Sequence, residues 1–194
     1  MSTSKTVWRV LVISATRQAH ELITELLPPG EFSPIVHITS AGEAKRLLSA
    51  ADFDLAVINS PLPDESGAEL ARELAGRNIG VLLLCRSDVY EMTAYALEDD
   101  GVMTLPRPVT KQELYVSVRL LCVMCAKLAK MEKQNRTLQE KMADIRAVNR
   151  AKWLLIEHLG MSEKDAHYHI EKQAMDMRLS RREVAEYIVR TYDK

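Results

Sequence analysis

The chain of 194 residues has few cysteines and no long apolar run. Its three cysteines, an odd number, argue against a scaffold held by disulfide bonds. The longest apolar stretch, residues 120–126, is far shorter than the roughly 20 residues that a membrane-spanning helix needs. No apolar block follows a basic start, so no signal peptide is expected. We therefore expect a cytoplasmic protein with no membrane partner.

Net charge is close to zero, but its distribution is uneven. Residues 1–110 hold 9 basic and 15 acidic side chains, whereas residues 111–194 hold 17 basic and 12 acidic ones. The acidic N-terminal part and the basic C-terminal part suggest two separate functions. A polyanion is a candidate partner for the basic part. Two solvated helical surfaces would show the same charges.

The first 110 residues alternate short apolar runs with amphipathic stretches. The apolar runs are 7–13, 33–38, 55–58, 81–85 and 102–105, and the amphipathic stretches lie near 17–27, 41–50, 67–76 and 88–98. Strands that alternate with helices indicate βαβ units and a parallel sheet covered on both faces. The pattern predicts an α/β fold with a five-stranded, doubly wound parallel sheet of the flavodoxin-like type.

No strand pattern appears after residue 110. A helix of roughly 48 residues, about 70 Å long, is predicted from Thr110 to Gly160, a residue type common just past helix ends. Shorter helices are predicted at 162–178 and 180–192, so the chain should end in a small three-helix domain. Helix starts are marked by a hydroxyl residue followed three positions later by an acid, at Ser40/Glu43, Ser66/Glu69, Thr110/Glu113, Ser162/Asp165 and Ser180/Glu183.

The long helix carries an apolar stripe with steps of three and four residues. We call this set the a/d stripe: Leu121, Met124, Leu128, Met131, Asn135, Leu138, Met142 and Ile145. Such spacing is typical of a coiled coil, and a buried Asn at an a position favours two parallel strands. Lys127 at g and Glu132 at e could pair between chains, whereas Lys141 and Arg146 would repel. We predict a homodimer through residues 113–145; an amphipathic helix packed on its own N-terminal domain is the alternative.

The order of short motifs in the first domain resembles the receiver domains of two-component response regulators. An apolar strand ends at Ile13, residues 54–59 form a second strand motif, and Pro106-Arg107-Pro108 follows the last strand. The resemblance covers about residues 5–120. It implies a receiver fold, in which acidic residues hold Mg²⁺ and an aspartate accepts a phosphoryl group.

The residues that match the receiver's reactive groups have lost that chemistry. The matching positions are Ser14 and Ala15 for the acidic pair, Asn59 for the acceptor, Cys85 for the hydroxyl residue and Arg107 for the lysine. Magnesium prefers carboxylate and other hard oxygen ligands, and the carboxylates are gone. We therefore predict a pseudo-receiver over residues 1–112. Nearby Asp54 and Asp64 are interpreted as strand-edge and loop residues instead of substitute acceptors.

Other catalytic or metal-binding patterns are weak. Cys122 and Cys125 form a C-x-x-C inside an apolar stretch of the long helix, without the second pair that a zinc site needs. His167 and His169 lie two apart on a predicted helix and so point to different faces. We predict no enzyme, no bound metal and no cofactor.

The C-terminal segment resembles the ANTAR domain of amidase and nitrate-assimilation antitermination regulators. The matching motifs are Ala151-Lys152, the Glu163-x-x-Ala166 spacing and Ala174-Met175. Together with the degenerate receiver, they are most similar to the amidase-operon type. The resemblance implies an ANTAR domain over 146–194 that binds paired hairpins in nascent leader RNA. It also implies control by a ligand-sensing regulatory protein or a ligand instead of phosphorylation.

Basic side chains are the candidates for phosphate contacts, and aromatic or histidine side chains are candidates for stacking on loop bases. The predicted RNA-binding residues are Arg146, Arg150, Lys152, His167, Tyr168, His169, Lys172, Arg178, Arg181 and Arg182. Trp153 fits a core position and an RNA-facing position equally well. The alternative functions are a dimeric protein-interaction adaptor without nucleic-acid binding and, third, a DNA-binding regulator.

Overall fold

The computed structural model describes residues 7–192. Up to residue 110, parallel strands alternate with helices. The strands are β1 (Trp8–Ser14), β2 (Phe32–Ile38), β3 (Leu55–Asn59), β4 (Gly80–Arg86) and β5 (Met103–Arg107). The helices are α1 (Arg17–Leu26), α2 (Ala41–Leu47), α3 (Ala68–Gly76), α4 (Tyr90–Leu97), α5 (Lys111–Leu159), α6 (Glu163–Met177) and α7 (Arg181–Tyr192).

All five strands run parallel, in the order β2-β1-β3-β4-β5. The predicted five-stranded, doubly wound sheet is confirmed. In an open sheet of this kind, ligand sites lie outside the carboxyl ends of the strands, next to the point where the strand order reverses. That edge is where the residues of the predicted pseudo-receiver site lie.

Alternating side chains of each strand fill two cores. On β1, Leu11 and Ile13 face a core shared with α2, α3 and α4, whereas Val10 and Val12 face one shared with α1 and α5. All four side chains are fully buried. Burial of one aliphatic side chain of this size contributes about 1.5–3 kcal/mol, so these strands need apolar residues on both faces.

Four of the five predicted helix starts are confirmed by their hydrogen bonds. In each, a side-chain hydroxyl accepts a hydrogen bond from the backbone amide three residues later, at Ser40, Thr110, Ser162 and Ser180. At Thr110 and Ser180 the bond is reciprocated, because the carboxylate of the acidic residue accepts from the capping residue's own amide at 2.8 Å.

The predicted capping box at Ser66/Glu69 is wrong. Helix α3 begins one residue later than that box requires, because Gly67 is its N-cap and has a φ of +86°. No side chain at the cap position bonds the first turn. The carboxylate of Glu65 instead accepts a hydrogen bond from the amide of Leu70 at 3.0 Å.

Helix α5 has 49 residues and is followed by Gly160 in the left-handed region, with φ of +63°. The predicted long helix and its end are confirmed. The chain forms two compact units, one up to Leu128 and one from Ala129 onward. Across residues 7–192, no helix combines the length and the hydropathy needed to cross a membrane.

The second unit is a small helical domain. The end of α5 supplies Ala151 and Leu155 to its core, and α6 and α7 supply most of the remaining buried side chains. The small side chains of Ala151 and Ala166 allow the helices to approach closely. A core this small gives only marginal stability.

Candidate functional site

Hydrogen bonds between neutral groups join residues of the predicted pseudo-receiver site. Ser14 and Asn59 end neighbouring strands and are register partners. The amide Nδ2 of Asn59 donates to the Ser14 hydroxyl at 3.0 Å, and that hydroxyl also accepts from the backbone amide of Thr16 at 3.2 Å. Ser14 is fully buried. These positions therefore offer an amide and an alcohol in place of the carboxylates that a receiver uses to bind Mg²⁺ and to accept the phosphoryl group.

The remaining pocket residues are equally unreactive. The guanidinium of Arg107 donates to the backbone carbonyl of Ser60. The Cys85 thiol donates weakly to the carbonyl of Leu105 at 3.7 Å, and burial raises the pKa of this thiol. Ala15 lies in the exposed loop after β1 and has no polar side chain. The structure thus brings four of the five predicted positions together, without the chemistry of a receiver.

The two nearby carboxylates are used elsewhere. Asp54 accepts a hydrogen bond from the backbone amide of Arg9 at 2.7 Å. Asp64 accepts from the amides of Gly42 and Ala41 at 2.8 and 3.0 Å, and these bonds lower its pKa. Asp64 therefore caps α2, a role that the sequence pattern missed because the two segments are 22 residues apart. Among residues 7–192, no group of three or more His, Cys, Asp or Glu could hold a metal ion.

The C-x-x-C of α5 is part of the first unit's core. Cys122 is buried and Cys125 half-buried, both against the sheet. Burial raises the pKa of Cys122 to about 11, so its thiol stays protonated. A Cβ at Gly80 would approach the Cys125 sulfur to 2.5 Å, which shows how closely strand and helix pack there. These cysteines serve packing and are unsuited to redox chemistry.

The a/d stripe of α5 is exposed along almost its whole length. Leu121 differs from the rest, since it is 4% exposed and packs in the core of its own unit. It therefore cannot form part of an exposed seam. The seven exposed positions are Met124, Leu128, Met131, Asn135, Leu138, Met142 and Ile145.

The predicted RNA-binding cations fall into two groups. Some are paired with carboxylates of the same domain: Lys152 with Glu163 at 3.0 Å, Arg181 with Glu171 at 3.0 Å, and Arg182 with Asp144 at 3.3 Å and Glu186 at 2.8 Å. Within the described residues, the exposed Arg146, Lys172 and Arg178 form no such pair. The guanidinium of Arg150 lies 5.3 Å from the ring centre of Trp153.

The predicted stacking residues of α6 are spread around that helix. The imidazole of His167 lies 3.4 Å from the carboxylate of Glu171, whereas Tyr168 is exposed and His169 half-buried. Of the three, only His167 lines a groove that crosses the C-terminal unit. The predicted set is therefore not one continuous site in this structure.

A groove of about 890 Å³ crosses the C-terminal unit, and sequence reasoning did not foresee it. Its α5 side includes Ile145 and Val148, and its other side includes Met175 and Leu179. Met175 is 80% exposed, an unusual position for a large apolar side chain. Lys152, Arg181 and Arg182, with their partners Asp144 and Glu171, line the same groove.

Comparison with known proteins identifies both parts of the chain. Residues 136–189 match the ANTAR domain family. The signal receiver domain of an HD domain-containing protein from Pseudomonas fluorescens Pf-5 superposes with a TM-score of 0.57 at 18% identity, over 67% of this chain and 96% of that one. This second likeness shows the fold alone. The chain thus has a receiver fold followed by an ANTAR domain.

Two regulatory proteins are similar along much of the chain. The transcriptional regulatory protein PdtaR of Mycobacterium tuberculosis is 27% identical over 158 residues, which are 79% of this chain and 77% of that protein. The aliphatic amidase regulator of Pseudomonas aeruginosa is 29% identical over 116 residues, 59% of this chain and 58% of that one. The resemblance to ANTAR-domain regulators that was found in the sequence is confirmed.

Proposed function

We propose that the chain is a transcription antitermination regulator that binds hairpins in nascent leader RNA as a homodimer. The observation that carries the proposal is the ANTAR match over residues 136–189. The similar protein PdtaR is a transcriptional regulatory protein, and the aliphatic amidase regulator shares 29% identity. Regulation by a partner protein or a ligand takes the place of phosphorylation.

The exposed stripe on α5 supports the dimer. Seven a/d positions between Met124 and Ile145 are open to solvent in a single chain, although six of them are apolar. An apolar heptad stripe of this length is stable in water only when a second helix covers it. Asn135, at an a position, favours two parallel strands, because its amide can bond with its counterpart in the partner.

The neutral pocket supports regulation without phosphorylation. Asn59 donates a hydrogen bond to Ser14, and neither residue supplies the carboxylate that a receiver phosphorylates. Arg107, in place of the receiver's lysine, is tied to the backbone of Ser60. A signal must therefore reach the RNA-binding domain by a contact with another molecule.

Charge on the C-terminal domain supports a polyanion as its target. Cations already paired with carboxylates would have to break those pairs before they met a phosphate. Breaking an ion pair costs free energy. This cost does not arise for Arg146, Lys172 and Arg178, because they form no ion pair within residues 7–192. We assign the phosphate contacts first to these three residues, with Arg178 in a left-handed turn between α6 and α7.

The experiment that tests the function is recovery of bound RNA from cells, followed by sequencing. The expected result is enrichment of leader transcripts that can form two neighbouring hairpins. A variant with Arg146, Lys172 and Arg178 all replaced by glutamine serves as the control and should lose the enrichment. If only proteins were recovered with the chain, the adaptor function would be favoured instead.

A further inference from the structure

Trp153 is more exposed than a tryptophan normally is. It lies on α5 with 54% of its surface open to solvent, and the guanidinium of Arg150 covers one face of its ring. Tryptophan and arginine are enriched among the residues that dominate binding at protein interfaces. The exposed Trp153 with Arg150 beside it is therefore a candidate interface residue.

The heptad of the a/d stripe places Trp153 beside a dimer seam. With Asn135 at a, the same register puts Asn149 at a, Lys152 at d, Val148 at g and Trp153 at e. In a parallel two-stranded coiled coil, a g residue of one helix lies next to the e residue five positions later in its partner. Val148 of one chain should then meet Trp153 of the second copy.

The groove lies on this g side of α5. Val148 forms part of its wall, together with Ile145 of the stripe, and Met175 and Leu179 form the opposite apolar wall. One heptad later the same g side of α5 is covered by its own domain, since Leu155 is buried in a core shared with α6 and α7, so the groove is open only near Val148. A partner helix on the stripe would therefore bring its e residues over the open groove.

We propose that, in the homodimer, Trp153 of each chain lies in the groove of the second copy, between Val148 and Met175. The proposal rests on the parallel dimer proposed above and goes beyond it, because it extends the interface into the ANTAR domains. Burial of two indole rings would fix the rotation of one RNA-binding domain relative to the other. The groove volume of about 890 Å³ exceeds what one indole needs, which leaves space for the helix that carries it.

Fluorescence of Trp153 tests the proposal directly. The chain has two tryptophans, so a Trp8→Phe variant leaves Trp153 as the sole indole emitter. Acrylamide quenching is measured in the full-length dimer and in a monomeric reference with Leu128→Glu and Leu138→Glu. We expect quenching several-fold weaker in the dimer, with emission shifted to shorter wavelength.

A matched pair of methionines provides an independent measurement. Met175 lines the groove, and Met177, two residues later on α6 and 55% exposed, does not. Met175→Glu should raise the dimer dissociation constant about tenfold, as expected of an interface hot spot, and Met177→Glu should change it by no more than about twofold. Both side chains are exposed in the single chain, so neither change should unfold the domain.

Any of three other outcomes would overturn the proposal. A dimer whose Trp153 is as easily quenched as in the monomer would contradict it and leave the dimer itself intact. Protection that appears only when hairpin RNA is added would make the groove an RNA site. A chain that sediments as a monomer at all concentrations would remove this inference and the proposed dimer together.

Discussion

The side-chain amide of Asn59 donates a 3.0 Å hydrogen bond to the hydroxyl of Ser14, across the ends of two neighbouring strands. The resemblance found in the sequence matches these two residues with the acceptor and an acidic metal ligand of a working receiver. Here the bond joins two neutral groups, and Ser14 is fully buried. The two apolar cores of the receiver fold are formed without these reactive groups.

Phosphorylation should therefore have no effect on this chain. Incubation with acetyl phosphate and Mg²⁺ should leave its intact mass unchanged. The Asn59→Asp variant should behave in the same way, since Ser14 and Ala15 still provide no carboxylate for the metal. An acid-stable or labile adduct of one phosphoryl group on the N-terminal unit of the unsubstituted chain would show that the pocket is active.

Dimerisation should depend on the exposed part of the a/d stripe. Replacing Leu128 and Leu138 with glutamate places charges in the apolar seam, where an unpaired charge is strongly unfavourable. Sedimentation should show monomers at concentrations where the unsubstituted chain is dimeric. Val123→Glu is the control, because Val123 is equally exposed but lies off the stripe. A double variant that remains dimeric would show that the seam lies elsewhere.

Apolar periodicity predicted much of this fold. Residues such as Val10 to Ile13 are buried on both faces of the sheet, and only a parallel sheet covered by helices explains an uninterrupted apolar run of that kind. The end of α5 was equally clear, because Gly160 adopts a left-handed conformation that suits glycine. These features are local and therefore visible in a sequence.

Features that depend on distant residues were not predictable. Asp64 caps α2 from another loop, Leu121 packs in its own unit although it fits the stripe, and Met175 lines a groove. The ion pairs of Lys152 and Arg182 join residues on separate helices. Composition shows that such cations exist, but only three-dimensional contacts show which of them are already neutralised.

Among the cations, Arg178 should matter more for RNA binding than Arg182. Arg178→Gln should weaken binding and lower the salt slope of log K by about 0.7–0.9, the value of one lost phosphate contact. Arg182→Gln is the matched control and should change the slope little, since its guanidinium pairs with Asp144 and Glu186. Filter binding at several salt concentrations gives both slopes. An equal loss in the two variants would refute this division of the cations.

The N-terminal unit should become less stable as the pH falls from about 7 to 5. Partial burial, and secondarily the charge of His20, lower the pKa of His37 below its ordinary 6.5. The unfolded chain then binds a proton more readily than the folded one, so stability present above pH 6.5 is lost as the pH falls through the folded pKa. Arg17, Glu21, Thr24 and Glu25 line the same cleft as the two imidazole rings.

Urea unfolding followed by Trp8 fluorescence in a Trp153→Phe background measures this dependence. His37→Gln should flatten the curve between pH 7 and 5. The carboxylates of this unit with lowered pKa, Glu43, Glu113 and Asp64, are not expected to contribute in that window, because their protonation reduces stability only below their ordinary pKa values of 4.5 for Glu and 3.8 for Asp. A steep dependence that survives in His37→Gln would assign the effect to another group.

The most direct test of the central claim compares RNAs with one hairpin and with two suitably spaced hairpins. A parallel dimer carries two ANTAR domains at the same end, so capture of the second hairpin becomes intramolecular and raises the effective affinity. We expect the double-hairpin RNA to bind far more tightly than either hairpin alone, and the advantage to vanish in the Leu128→Glu/Leu138→Glu variant. Equal affinity for both RNAs, or duplex DNA that binds as tightly as RNA, would contradict the account.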